Sequence, residues 1–162
     1  MNMENKEYKY VKFRPWVGKD YNPESRGKKL LILGDSHYCA KDSNRNDACR
    51  SKGDCSYDCM NDRCYEMTQK LIQDEYMAYR SGRAKSAGHL QTILTFEKNL
   101  FGYTPSPQQS LDFWDRVVFY NYIQHSQYKP RGRRKTETEE IQDYREAFME
   151  VLEYYKPTHI IV

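Results

Sequence analysis

Leu30-Leu31-Ile32-Leu33-Gly34-Asp35-Ser36-His37-Tyr38 is the stretch that decides the fold. Four consecutive aliphatic residues form a short apolar run without polar alternation. That pattern suits a strand buried on both faces, as in a parallel sheet. Gly34 ends the run and lets the main chain approach a ligand closely. In open α/β sheets ligands bind at the carboxyl ends of the strands. Asp35, Ser36 and His37 then stand at the mouth of a crevice as candidate catalytic groups. An acid, a hydroxyl and an imidazole side by side form a reactive set. The plainer reading is a polar turn after a buried strand.

Two further stretches read as strands. Val117-Val118-Phe119-Tyr120-Asn121-Tyr122-Ile123-Gln124 is β-branched and aromatic. Asn121 near its end is either a turn former or an amide able to read a base edge. His159-Ile160-Ile161-Val162 forms the third strand, and the sequence stops on it. A short form or a C-terminally truncated fragment is expected.

Helical spacing lies between the strands. Met67, Leu71, Ile72, Tyr76 and Tyr79 predict a helix over 65–81. A second covers 87–101, with Gly102 as its stop and His89 as a surface or packed imidazole. Ser110 is placed to cap a short helical turn carrying Phe113 and Trp114. Thr136-x-x-Glu139 is a capping box before a helix with Ile141, Tyr144, Phe148, Val151, Leu152 and Tyr155 on one face. Residues 1–29, with Tyr8, Tyr10, Phe13 and Trp16, are expected to pack across the domain. The alternation predicts one α/β domain over residues 1–162, a three-layer sandwich with a short parallel sheet.

All five cysteines, Cys39, Cys49, Cys55, Cys59 and Cys64, fall in 39–64 among Asn, Asp, Ser, Arg and Gly. This segment has too few aliphatic residues to bury a core, so something else must order it. Zinc held by four thiolates fits, with Cys49, Cys55, Cys59 and Cys64 as ligands and Cys39 as a substitute. An iron–sulfur cluster ranks below zinc, and free thiols are the remaining reading. Lys129-Pro130-Arg131-Gly132-Arg133-Arg134-Lys135 carries five positive side chains and no acid. Its field attracts phosphate, which makes Lys129, Arg131, Arg133, Arg134 and Lys135 candidate DNA-backbone contacts. The formal charge of +3 is too small to indicate such a partner by itself. No apolar stretch approaches membrane-spanning length and no apolar signal core opens the chain, so a cytoplasmic setting is expected.

The motifs carry two resemblances. Leu31-Ile32-Leu33-Gly34-Asp35-Ser36-His37-Tyr38 and Val118-Phe119-Tyr120-Asn121 resemble the uracil-DNA glycosylase superfamily. There an apolar strand leads to Gly, a variable polar residue, a catalytic acid or amide and a later Tyr, and a second strand ends in the Asn that reads the base. The chain also resembles members with Gly-acid-Ser-His-Tyr, cysteines and a later Tyr-Asn-Tyr. The likeness runs from Leu30 to Val162. It implies a glycosylase fold and removal of an unusual or modified base from DNA, in DNA repair or defence against phage. Gly34, Tyr38 and Asn121 would then bind the base, and Asp35 or His37 would position water or stabilise positive charge on the sugar. The position of the family's catalytic acid or amide is Ser36 here, and no C-terminal His loop follows. Gly34-Asp35-Ser36 also resembles the Gly-Asp-Ser esterases, with Ser36 as nucleophile, but their later Gly-x-Asn-Asp and Asp-x-x-His blocks are missing. The third reading is a non-catalytic module that binds nucleic acid or protein.

Overall fold

The computed structural model describes residues 7–38, 67–85, 88–124, 126–127 and 138–162; for 38, 126–127 and 138–140 it describes the backbone alone. The cysteine-rich segment 39–64 and the basic loop 129–135 lie outside the described residues. So do the proposed ligands Cys39, Cys49, Cys55, Cys59 and Cys64, the proposed phosphate contacts Lys129, Arg131, Arg133, Arg134 and Lys135, and the Thr136 cap.

Among the described residues there are six strands: β1 (Trp16–Val17), β2 (Leu30–Gly34), β3 (His37–Tyr38), β4 (Val117–Asn121), β5 (Ser126–Gln127) and β6 (His159–Ile161). Four helices accompany them among the described residues. The first, α1, runs from Met67–Lys70 through a π-helical stretch, Leu71–Met77, into Ala78–Arg80. A 3₁₀ turn, Gly88–Leu90, leads into α2 (Gln91–Phe101); α3 is Pro107–Trp114 and α4 is Thr138–Tyr155.

The main sheet has the order β1-β4-β2-β6. The predicted strands pair in parallel, β2 with both β4 and β6. The all-parallel expectation is corrected at one edge, where β1 runs antiparallel to β4 with Trp16 opposite Phe119. The sheet is therefore mixed. Pro15 and Gly18 bracket this strand and keep it to two residues. Gly18 N–H donates to the Val117 carbonyl at 2.9 Å, and a Cβ at Gly18 would lie 2.2 Å from the Asp115 carbonyl carbon. Close backbone approach thus sets where β1 docks.

Helices pack on both faces. Leu31, Val118 and Tyr120 bury against Ala147, Val151 and Tyr155 of α4. Ile32, Val117 and Phe119 bury against Ile72 and Tyr76 of α1, Ile93 of α2 and Trp114 of α3. All five residues of β4 are buried, so this strand carries no polar alternation. The N-terminal segment packs as expected: Phe13 is fully buried and Val11 and Tyr21 join the α4-side core.

One predicted cap is corrected. Ser106, not Ser110, caps α3, because Ser106-Pro107-Gln108-Gln109 supplies a reciprocal capping box with Pro at the helix start. Ser110 lies inside the helix, fully buried, and donates to Glu97 Oε2 at 2.9 Å. Glu97 also accepts from Trp114 Nε1 at 2.8 Å, with Arg80 Nη2 3.9 Å away. Arg80 in turn donates to the Pro105 carbonyl at 2.6 Å. A buried carboxylate thus ties α1, α2 and α3 together. Among the described residues no helix is long and apolar enough to cross a membrane.

Candidate functional site

The parallel pairing of β2 and β4 runs past the apolar strands. Gly34 stands opposite Asn121. Tyr122 N–H then donates to the Gly34 carbonyl and Ile123 N–H to the Asp35 carbonyl, each at 2.9 Å. Pairing resumes as β3 with β5, His37 opposite Ser126. The first strand takes three steps from Gly34 to His37, while the second takes five from Asn121 to Ser126. The longer arm leaves the ladder, and the side chains of His37 and Asn121 meet.

Both are buried, at 5% and 4% exposure. Asn121 Nδ2 lies 3.0 Å from His37 Nε2, and Thr68 Oγ1 lies 2.7 Å from the same nitrogen. An amide nitrogen only donates, so Nε2 accepts and the ring is the neutral Nδ1–H tautomer. The Thr68 hydroxyl donates to the same lone pair. Phe13 covers the imidazole edge-on, with ring centroids 5.0 Å apart. Burial in this apolar surround pushes the His37 pKa down to about 4, so the ring is neutral at physiological pH.

Gly34 makes the contact possible. A Cβ there would meet Asn121 Oδ1 at 2.0 Å and the Phe119 ring at 3.0 Å. The amide fills the space that a side chain at 34 would need. Behind it, Gln124 Nε2 donates to the Asn121 carbonyl at 2.6 Å. Gln124 Oε1 accepts from Lys12 N–H and Phe13 N–H, each at 2.9 Å. The N-terminal segment is held further along by Glu150, whose carboxylate accepts from the N–H groups of Lys9, Tyr10 and Val11 at 2.8, 2.9 and 3.2 Å.

Of the predicted site residues, Gly34, His37 and Asn121 form one contact cluster. Asp35 has its side chain exposed. Ser36 Oγ is sealed from solvent and has no hydrogen-bond partner among the described residues. The Tyr38 backbone lies in β3, and its side chain is outside the description. Among the described residues no group of three or more His, Cys, Asp or Glu is placed to hold a metal. His89 is exposed and pairs with Glu75.

No protein-family model, curated protein or solved structure matches this chain. The site therefore stands on its own geometry.

Sequence reasoning gives Phe13 a packing role only and does not single out Thr68 or Gln124. Thr68 has a signal: it shares a strict four-residue spacing with the buried Ile72 and Tyr76. A π-helical stretch, with i→i+5 bonding, holds more residues per turn than an α-helix. A four-residue repeat then stays near one face, and Thr68 marks the polar end of that inward row. Gln124 has no comparable signal, because one amide after a strand looks like any loop residue.

Proposed function

We propose that the chain is a DNA glycosylase-like protein that hydrolyses the N-glycosidic bond of an unusual or modified base. The observation that carries this reading is Asp35: an exposed carboxyl one residue past the Gly34–Asn121 rung, at the carboxyl ends of two paired parallel strands. Brought near C1′ of an extruded nucleotide, its carboxylate stabilises the positive charge that develops on the sugar. The C1′–N bond breaks and its electron pair leaves with the base. Water oxygen then bonds to C1′, and its proton passes to Asp35.

Gly34 and Asn121 line the base side in this reading, and Tyr38 is assigned there from the sequence alone. His37, neutral and doubly bonded, is a positioning residue. Lys129, Arg131, Arg133, Arg134 and Lys135 hold phosphate, and Cys49, Cys55, Cys59 and Cys64 hold zinc; both assignments rest on sequence alone. The sandwich architecture and its likeness to the uracil-DNA glycosylase fold belong to the same proposal. The esterase reading has less support, since Ser36 Oγ is sealed and His37 Nε2 is engaged by Thr68 and Asn121.

The test is incubation with duplexes carrying uracil, 5-substituted cytosines or damaged purines, followed by alkali. Strand breaks at one base, lost in Asp35→Asn, support the reading. No breaks on any duplex turn it down in favour of a non-catalytic module of the same architecture. The mutual bonding of His37 and Asn121 is the observation that favours that second reading.

A further inference from the structure

Residues 9–13 lie outside any strand, and β1 begins only at Trp16. Their five consecutive N–H groups all donate to side chains of other segments. Glu150 of α4 accepts from Lys9, Tyr10 and Val11. Gln124 accepts from Lys12 and Phe13, while its own amide donates to the Asn121 carbonyl. The bond from Lys9 is exposed, the next three are half-buried and the one from Phe13 is buried. Val11 and Phe13 face inward and are buried, and Lys9 is exposed. Phe13 lies edge-on against the His37 ring, with centroids 5.0 Å apart.

We infer that this segment is a hinged strap whose closed form shuts His37 away from solvent, with Glu150 as its latch. Peeling it back breaks side-chain anchorages and no rung of the sheet. Segments that open on their own are those with few buried apolar contacts and backbone bonds that water can reach. Here Val11 and Phe13 supply the apolar hold, and Glu150 and Gln124 take the five backbone bonds. The bonds to Glu150 are charge-assisted, and such bonds are roughly twice as strong as neutral ones. Glu150 therefore carries the larger share of the polar hold, and release starts at its exposed end. Gln124 joins the strap to the end of β4, so opening also loosens the support behind Asn121. Once Phe13 lifts, the imidazole becomes reachable from solvent on the same turn as Asp35. The strap does not depend on the glycosidase reading; within that reading, its closed form keeps His37 a positioning residue.

Amide hydrogen exchange on the full chain tests this. Corrected for intrinsic rates, the amides of Lys9, Tyr10, Val11, Lys12 and Phe13 should exchange at least about tenfold faster than the ladder amides of β2 and β4. One common rate for strap and ladder overturns the inference. Glu150→Gln keeps the size of the latch and removes its charge. It should speed both strap exchange and acylation of His37 by diethyl pyrocarbonate by about tenfold. Ladder amides and the labelling of the exposed His89 and His159 should not change. Strap exchange that does not respond means that Glu150 is no latch. A faster strap with His37 still unlabelled means that Phe13 is not the cover. His37 labelling that rises only in step with ladder exchange reports global unfolding. Each of these three results overturns the inference. If Glu150→Gln fails to fold, the wild-type rates decide.

Discussion

Gly34→Ala is the sharpest perturbation of the site. The strand backbone at Gly34 accepts any L-residue, so the cost comes from what the new methyl meets. It would lie 2.0 Å from Asn121 Oδ1 and 3.0 and 3.1 Å from Cε2 and Cζ of Phe119. Ordinary contact begins near 3.4 Å, so the amide must retreat by roughly 1.4 Å while the ring gives by a few tenths. A retreat of that size breaks the 3.0 Å bond to His37. Overpacking of this kind costs about 1–3 kcal/mol, and a buried amide left unpaired about 1–3 kcal/mol more. A loss of about 3 kcal/mol is expected. Urea denaturation reads it as a midpoint lowered by roughly 1.5 M for a slope near 2 kcal/mol per M. The double variant Gly34→Ala/Asn121→Ala separates the cause. With the amide gone the methyl has room, so the double variant should match Asn121→Ala within about 0.5 kcal/mol, a strongly non-additive cycle. Additive costs, or a loss below about 0.5 kcal/mol for Gly34→Ala alone, would refute the steric argument.

His37 makes a pH prediction. Its pKa is lowered from 6.5 to about 4 in the folded protein, so below pH 6.5 the unfolded chain binds a proton that the native state refuses. Its stabilisation is complete above pH 6.5 and is lost as pH falls toward 4, by about 3 kcal/mol in all; His37→Gln should remove that component from the urea midpoint across pH 4–7. Glu97→Ala leaves Ser110 and Trp114 Nε1 without their shared acceptor and Arg80 without its nearby carboxylate in a buried site, and calorimetry should show a loss of about 3–5 kcal/mol. Asp35→Asn should cost at least about 100-fold in excision while moving the urea midpoint little, because the side chain is exposed. Elemental analysis should find one zinc per chain, lost on replacing Cys49, Cys55, Cys59 and Cys64 by Ser; zinc retained in that variant would refute the ligand assignment.

Much of the frame is legible in the apolar runs. Leu30–Gly34, Val117–Asn121 and His159–Ile161 are strands where the sequence predicts them, because continuous aliphatic and aromatic residues leave few other stable states. β1 is hidden from such reading: two residues between Pro15 and Gly18 carry no period, and their pairing is decided by the backbone of Asp115 and Val117. The Ser106 cap is written plainly as Ser-Pro-x-Gln, whereas Ser110 only looks like a cap because its real partner, Glu97, lies thirteen residues away on another helix. The meeting of His37 and Asn121 follows once both are placed at the tips of adjacent strands. What cannot be read is how far each arm travels beyond those tips, since that depends on the unequal lengths of two loops.

That inequality also sorts three neighbouring polar residues. The Asp35 carbonyl stays in the ladder by accepting from Ile123 N–H, and its side chain faces solvent. Ser36 then places its hydroxyl in a sealed space, and His37 turns under Phe13 toward Thr68 and Asn121. A sequence that reads as an acid, a nucleophile and a base in a row therefore folds into one solvent-facing carboxyl above a buried, neutral support. In the proposed reading chemistry at this turn begins from Asp35, and the imidazole acts through the amide that it holds.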